Sequence, residues 1–306
     1  MGERKPLKNL KMDANHIVEY HLGTALESIG DYFNADVFML LGPIRYGVDD
    51  ALRKLIEKKD SASRKSRLLV ILETTGGIVD VAQRIAETFR YHYPDDVQFL
   101  IPNFAFSAGT VLAMSGNDIL MDYYSVLGPI DPQIENKSRT GLVPATGYLI
   151  QYERLIKKAA DPNQKLTSAE LHYFIEHFDP AELYYYEQAR NLSISLLKEW
   201  LVNYKFKYWK KTSSRGKQVS KRMKTQRAAS IARKLSDTDK WLSHGRGISK
   251  DVLINDLKLE ITDFGADQEF DNRIKLYYNT LKDYMIKMGV ASLIHFDGNL
   301  VPLSPI

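Results

Sequence analysis

Two short turns hold the residues of this sequence that are best suited to acyl-transfer chemistry. The first pairs Gly76 with Gly77 at the end of an apolar segment, and the second holds Ser107, followed by Ala108. A serine hydroxyl becomes a nucleophile once a base takes its proton, and backbone N–H groups can approach a developing oxyanion where glycine has no Cβ atom. We therefore interpret Ser107 as a nucleophile, and the N–H groups of the two glycines and of Ala108 as oxyanion donors.

A purely structural interpretation of the same turns is also open. The glycines would then only turn the chain, and the side chain of Ser107 would cap the helix that begins at Ala108. Turns between strands and helices often contain serine and glycine for these reasons. Composition and spacing alone do not decide between the two interpretations.

Both turns follow apolar strands within an alternating pattern of strands and helices. The segments 35–44, 68–72, 97–101 and 118–121 are predicted strands, and segments with helical spacing separate them. This alternation predicts right-handed βαβ units and a mainly parallel sheet. Functional sites in such sheets gather at the carboxyl ends of the strands, where both turns lie.

The remaining segments predict further layers around this α/β core. Helical patterns dominate after Pro144, and the mixed pattern returns at 252–265 before a closing helix over Asp271–Met288. We expect an N-terminal helical segment, a core in two parts and a helical insertion with a basic arm. The predicted boundaries are 1–34 for the N-terminal segment, 35–147 and 236–306 for the core, and 148–235 for the insertion.

Composition narrows the class of protein further. The 306 residues are 44% hydrophobic and include no cysteine, which excludes disulfides and thiolate catalysis and favours a cytoplasmic location. No apolar run is long enough to predict a membrane span. The histidines lack metal-ligand spacing, and neither a P-loop nor a dinucleotide-binding glycine motif is present. We therefore expect no metal site and no organic cofactor.

Four ordered blocks of the sequence carry a family resemblance. They are ETTGGIVDVAQRIAE, then FAFSAGTVLAMSGNDILMDYYSVLGPIDPQI, then VPATGYL, and finally WLSHGRGIS with LKLEITDFG. These blocks resemble the serine dehydrogenase proteinase family, whose members are related to signal peptide peptidase A. The resemblance implies an α/β fold of the Clp protease/crotonase type, a ββα superhelix, to which this chain adds a helical layer.

The resemblance also implies a chemistry. Ser107 matches the nucleophile and Ala108 matches the second oxyanion donor, while Gly76 and Gly77 match the first oxyanion turn. The implied activity is ATP-independent peptide-bond hydrolysis without metal or organic cofactor, commonly in a homo-oligomer. Thr75 departs from the family, in which proline usually precedes the two glycines.

The general base is left open between two residues. Signal peptide peptidase relatives use a lysine farther along the chain, at the distance from the serine where Lys157 and Lys158 lie. A desolvated lysine can accept the serine proton, but most lysines are exposed. The second candidate is His244 in the SHGRG block, because imidazole suits a base at neutral pH. Where Clp proteases place their histidine, this chain has Asp131, which we interpret as a turn residue that caps backbone N–H groups.

A basic segment at 205–234 suggests a further partner. Twelve lysines and arginines, and no acidic residue, lie between Val202 and Lys234. Such a segment suits a nucleic acid or another acidic partner, or is simply a solvated helical arm.

Three functions are therefore compared. We favour a soluble, cytoplasmic serine peptidase that acts on protein or peptide substrates through Ser107. The alternative is a catalytically inactive protein of the same fold that holds a protein or a nucleic acid. A crotonase-like acyl-CoA enzyme would also use two oxyanion turns. It is the least favoured function, because enolate stabilisation needs no serine in the second turn.

Overall fold

The structure is a computed structural model that describes residues 13–131, 133–135, 142–212 and 216–303. The α-helices in these residues are α1 (Ala14–Phe33), α2 (Val48–Lys58), α3 (Val79–His92), α4 (Ala108–Ala113), α5 (Ala145–Ala160), α6 (Ser168–His177), α7 (Pro180–Trp200), α8 (Lys221–Leu235), α9 (Thr238–Trp241), α10 (Lys250–Asn255) and α11 (Gln268–Met288). The strands are β1 (Asp36–Leu41), β2 (Arg67–Glu73), β3 (Asp96–Ile101), β4 (Phe104–Ala105), β5 (Asp118–Met121), β6 (Val126–Leu127), β7 (Gln133–Glu135), β8 (Leu142–Pro144), β9 (Ile248–Ser249), β10 (Thr262–Asp263), β11 (Leu293–Phe296) and β12 (Asn299–Pro302).

The main sheet has the strand order β10-β5-β3-β2-β1-β11-β12. Neighbouring strands are parallel from β10 to β1, whereas β11 is antiparallel to β1 and β12 is antiparallel to β11. The predicted α/β fold with a mainly parallel sheet is confirmed. The sequence pattern did not indicate the last two strands, which follow the closing helix α11.

Hydrophobic side chains cover both faces of this sheet. In β2, Leu68 and Val70 pack on one face with residues of α2, α3 and α4, while Leu69 and Ile71 pack on the other face with α1 and α11. Successive side chains of a strand point to opposite faces, so a strand that is buried on both faces has an unbroken apolar sequence. The apolar runs therefore predicted the central strands well.

A smaller sheet joins the carboxyl end of β2 to the region after Ser107. Its order is β4-β6-β9, with β4 parallel to β6 and β6 antiparallel to β9. Thr74, immediately after β2, forms a parallel bridge with Ala105 of β4. The N–H of Thr74 donates to the carbonyl of Phe104 at 3.1 Å, and the N–H of Phe106 donates to the carbonyl of Thr74 at 3.0 Å. These bonds place the two small-residue turns side by side.

The segment after β8 folds as the predicted helical layer, in which α5 ends at Ala160, α6 begins at Ser168 and α7 begins at Pro180. A π-helix at Leu201–Lys205 extends α7, and the Lys205 ammonium, with only 4% of its side chain exposed, pairs with Asp118 of β5. This ion pair, of which only the ammonium is buried, fixes the start of the basic segment to the sheet. Among the described residues, no helix combines the length and apolar character needed to cross a bilayer. The domain boundaries stay a prediction.

Candidate active site

Ser107 occupies a strained turn between β4 and α4. Its backbone has φ 53° and ψ −119°, in a region that non-glycine residues rarely adopt. Although it stands at the N-cap position of α4, its side chain makes no capping hydrogen bond. The helix-cap interpretation of this serine is therefore wrong. Ser107 is half-buried. A serine held in a strained turn between a strand and a helix has the local geometry that presents a nucleophile to its substrate.

Gly76 fits against the Ser107 turn because it has no side chain. A Cβ atom on Gly76 would lie 2.6 Å from the Phe106 carbonyl oxygen and 2.7 Å from the Ser107 Cβ. Its φ of 94° also favours glycine. The two predicted turns thus meet, and any side chain at Gly76 would displace Ser107.

Ile44 forms backbone hydrogen bonds with the residues on both sides of Gly77. The N–H of Ile44 donates to the Gly76 carbonyl and the N–H of Ile78 donates to the Ile44 carbonyl, each at 2.8 Å. In this parallel bridge the N–H and C=O groups of Gly77 itself point to the side away from Ile44. Gly77 is exposed, so an extended peptide has access to these groups.

The predicted oxyanion donors differ in their present partners. The N–H of Gly76 donates to Thr74 Oγ1 at 3.0 Å, so it would have to exchange this partner to bind an oxyanion. Ala108 is the first residue of α4, and the N–H groups of a first helical turn have no acceptor within their own helix. The dipole of a helix also favours negative charge at this end.

The segment after β6 lies against the Ser107 turn and leads to Asp131. Gly128 packs against Phe106, since a Cβ atom on Gly128 would lie 3.0 Å from the Phe106 Cα. Its N–H donates to Thr110 Oγ1 at 3.0 Å, and Ile130 donates to the carbonyl of Leu235 at 3.0 Å. The path of residues 128–131 is therefore fixed between α4 and the end of α8.

Asp131 and His244 form a buried pair. The Nδ1 atom of His244 is 2.9 Å from Oδ1 of Asp131, and the two side chains are 10% and 2% exposed. The interpretation of Asp131 as a turn residue that caps backbone N–H groups is therefore wrong, because this carboxylate oxygen binds an imidazole. The pairing could not be inferred from the sequence, because β6 and β9, which bring the two segments together, are only two residues long each.

A cavity of about 240 Å³ opens over this pair. Its lining includes Asp131 and His244, with Ile150 and Arg154 of α5 and Trp241 of α9, and Ser107 is not among the described residues that line it.

Lys158 lies elsewhere, near the end of α5. Its Nζ donates to both carboxylate oxygens of Glu170, at 2.6 and 2.8 Å. The hydrogen bond from this ammonium lowers the pKa of Glu170 to about 2. The Lys158 ammonium therefore joins α5 to α6 in an ion pair. A general base would instead have to lie beside the nucleophile with a free lone pair.

The basic segment is partly paired and partly exposed. Besides Lys205, Lys234 is paired with Asp256, and Lys224 donates to the Lys207 carbonyl. Exposed cations remain around Tyr208 and at the start of α8; they are Lys207, Lys210, Lys211, Lys217, Lys221 and Arg222. The predicted nucleic-acid or acidic partner of this segment stays a prediction.

The relatives found by comparison with known proteins match only part of this chain. Two uncharacterized proteins of Methanocaldococcus jannaschii, MJ0137 and MJ1495, are each 34% identical to this chain, over 85 and 92 residues. These alignments cover 28% and 30% of this chain and span 29% of each relative.

Two solved structures share a similar arrangement of the chain. They are mutant forms of the membrane-bound stomatin-specific protease 1510-N, and the second is in complex with a substrate peptide. The first has a TM-score of 0.43 and 13% identity, covering 76% of this chain and 81% of that chain. The second has a TM-score of 0.43 and 14% identity, covering 73% and 72%.

The family profile of the ClpP-like SDH-type serine proteinases matches residues 46–167. The matched residues include both small-residue turns and Asp131, whereas His244 lies beyond them. The match confirms the resemblance drawn from the sequence blocks: residues 46–167 are similar to the ClpP-like SDH-type serine proteinases.

Proposed function

We propose that this protein is a serine peptidase that cleaves peptide bonds through Ser107. The observation that carries the proposal is the strained, uncapped Ser107 turn packed against Gly76. Strain of this kind is maintained where it serves a function, because a relaxed turn would be more stable. The family of residues 46–167 supports the same chemistry.

In the proposed reaction, Ser107 Oγ attacks the carbonyl carbon of the scissile peptide while its proton passes to a base. A C–O bond forms, and the N–H of Ala108 with an N–H of the glycine turn stabilises the oxyanion. The tetrahedral intermediate then breaks its C–N bond, and the base returns the proton to the leaving amine. Water releases the acyl group from Ser107 by the same steps, so no other reactant is consumed.

A substrate would bind as an extended strand beside Gly77 and Ile78. The N–H and C=O groups of Gly77 face away from Ile44, and Gly77 is exposed. Main-chain hydrogen bonds of this kind recognise an extended peptide without regard to its side chains. This binding mode fits a protein or peptide substrate better than an acyl-CoA.

Covalent labelling by a fluorophosphonate probe tests the nucleophile. The wild-type protein is expected to be labelled at Ser107, since attack on phosphorus expels fluoride and leaves a stable serine adduct. The Ser107→Ala variant is expected to show no labelling. Wild-type protein that stays unlabelled, and that leaves a broad peptide panel uncut, would contradict the proposed function and favour a binding protein.

We propose His244 rather than Lys158 as the base, because the Lys158 ammonium is held by Glu170. Replacement of Lys158 by methionine is therefore expected to leave the rate of labelling unchanged. The measurement is the second-order rate constant of labelling at pH 7, compared with wild type. Loss of labelling in a folded Lys158→Met protein would transfer the role of base to the lysine. The homo-oligomer and the cytoplasmic location stay predictions.

A further inference from the structure

Positive charge is concentrated in one segment of this chain. Between Val202 and Lys234 lie 12 of the 42 lysines and arginines and none of the 38 acidic residues, although the net charge of the whole chain is only +4. The rest of the chain therefore has more acidic than basic residues. A charge asymmetry of this kind is typical of a protein with a surface for a polyanionic partner.

The two ends of this basic segment are paired with carboxylates, whereas its middle is not. Lys205 pairs with Asp118 and Lys234 pairs with Asp256. Six cations between them are exposed and form what we call the basic surface: Lys207, Lys210, Lys211, Lys217, Lys221 and Arg222. Among the described residues, no carboxylate forms an ion pair with any of the six. Their mutual repulsion therefore has no compensating partner within this part of the fold.

Backbone contacts bring these cations together. Lys211 forms an antiparallel bridge with Gln218, so the segments that contain these two residues lie against each other. The Lys224 ammonium, on α8, donates to the carbonyl of Lys207 at 3.1 Å. This bond holds the first turns of α8, which contribute two of the six cations, against the same bridged segments. The six cations therefore belong to one compact region of the surface.

The basic surface lies at the opposite edge of the sheet from Ser107. Asp118, the partner of Lys205, is the first residue of β5, at the amino-terminal edge of the parallel strands, whereas the Ser107 turn lies beyond their carboxyl ends. The helix α8 leads from the basic surface to Leu235, whose carbonyl accepts from the N–H of Ile130. At about 1.5 Å per residue, this helix spans roughly 22 Å. A ligand on the basic surface would therefore leave the Ser107 turn accessible.

The side chains around these cations favour a phosphate backbone in water over a lipid surface. In the described part of 201–235, Tyr208 is the only large hydrophobic residue that is exposed, with 66% of its surface accessible. A surface that lies on a bilayer needs several apolar side chains that enter the lipid. A single exposed aromatic ring among lysines instead suits single-stranded nucleic acid, because unpaired bases stack on aromatic side chains.

We propose that the basic surface binds single-stranded nucleic acid. Its ammonium and guanidinium groups contact the phosphates, and Tyr208 stacks on an unpaired base. Phosphate contacts carry no direct sequence information, so little sequence preference is expected. This binding function goes beyond the proposed peptidase activity and does not depend on it.

Fluorescence anisotropy with a labelled oligouridylate of about 15 nucleotides tests the proposal on the full chain. The wild-type protein is expected to bind it, with an affinity that falls by roughly 10²-fold between about 50 and 200 mM salt, because each phosphate contact releases counterions. Absence of salt-dependent binding by the wild-type protein overturns the inference.

Neutral substitutions at the basic surface locate the binding. The variant combines Lys210→Gln, Lys211→Gln, Lys217→Gln, Lys221→Gln and Arg222→Gln. It is expected to lose about 10²-fold in affinity at low salt and to depend less steeply on salt. The matched control removes the same charge at exposed lysines elsewhere and combines Lys54→Gln, Lys58→Gln, Lys165→Gln, Lys258→Gln and Lys287→Gln. The control is expected to bind nearly as the wild type does, and an equal loss in both variants overturns the inference.

Two further measurements identify the chemical class of the partner. Tyr208→Ala is expected to weaken binding by about tenfold without changing its salt dependence, because stacking involves no counterion. An unchanged affinity in Tyr208→Ala overturns the stacking contact. Polyglutamate and vesicles that contain phosphatidylserine are competitors, and stronger binding of either than of the oligouridylate overturns the assignment to nucleic acid.

The peptidase proposal and this inference fail separately. Ser107→Ala is expected to bind the oligouridylate as the wild type does, and the variant with five neutral substitutions at the basic surface is expected to be labelled by fluorophosphonate at the wild-type rate. Absence of labelling in the wild type contradicts only the peptidase function. Loss of oligouridylate binding in Ser107→Ala overturns the separate binding surface.

Discussion

Replacing Gly76 with alanine is expected to abolish labelling of Ser107 and to lower the free energy of unfolding by about 3 kcal/mol. The new Cβ atom would lie 2.6 Å from the Phe106 carbonyl oxygen and 2.7 Å from the Ser107 Cβ. Both of these neighbours belong to the nucleophile turn itself, so the clash is relieved only by moving the serine. Displacement of a reacting group by about 1 Å can slow a reaction by 10²-fold or more.

Gly289→Ala is the matched control for this experiment. Gly289 also has a positive φ, 64°, but a Cβ atom there would meet no atom within 4 Å. Alanine at this position is therefore strained without clashing, and is expected to cost only about 1 kcal/mol with no change in labelling. Urea denaturation and the rate of labelling, measured on both variants, separate the two effects. Equal destabilisation by both substitutions, with labelling retained in Gly76→Ala, would show that the two turns are not packed as described.

Acidification from pH 6.5 to about pH 4 is expected to lower the free energy of unfolding by about 3 kcal/mol through His295 alone. This histidine of β11 is buried, and its burial lowers its pKa from 6.5 to about 4. Below pH 6.5 this histidine is protonated in the unfolded chain, whereas it stays neutral in the folded protein down to about pH 4. The contribution of His295 to the free energy of unfolding is therefore complete above pH 6.5. It declines with falling pH until His295 is protonated in the folded protein as well.

His295→Asn tests the origin of this decline, because an amide is polar but does not titrate in this range. The variant is expected to be less stable at neutral pH but to lose less further stability down to pH 4, in urea denaturation at a series of pH values. His92 contributes in the same direction, since burial and the nearby Arg64 lower its pKa too. The carboxylates with lowered pKa values, such as Asp50 at about 2, begin to lose their contribution only as the pH approaches their ordinary values near 4. An unchanged slope in His295→Asn would assign the decline to other groups.

The sequence predicted the neighbourhood of the two small-residue turns better than the surroundings of His244. The runs 68–72 and 97–101 are apolar throughout because both of their faces are buried, and the turns follow directly from where these strands end. Gly76 and Ser107 are close in space because Thr74, two residues before Gly76, forms a bridge with Ala105, two residues before Ser107. Such local features are visible in a single sequence.

The Asp131–His244 pair depends on contacts that have no local signature. The two residues are 113 positions apart, and the strands that join them are too short to show alternation of side chains. Proline on either side of Asp131 favoured a turn, which explains why its carboxylate was assigned to backbone capping. The same limitation applies to β11 and β12, whose pairing with β1 depends on the whole chain.

The separation of the proposed nucleophile and the proposed base along the chain also sets the order in which they are synthesised. Ser107 and Asp131 leave the ribosome first, and His244 follows Ser107 by 244 − 107 = 137 residues. At about 5–20 residues per second, the Ser107 turn exists for roughly 7–27 s before the proposed base has been made. During that interval the unfinished chain carries a serine that cannot be activated by this route. A peptidase of the proposed kind cannot act through this base on the nascent chains around it, its own included, until residue 244 has been synthesised.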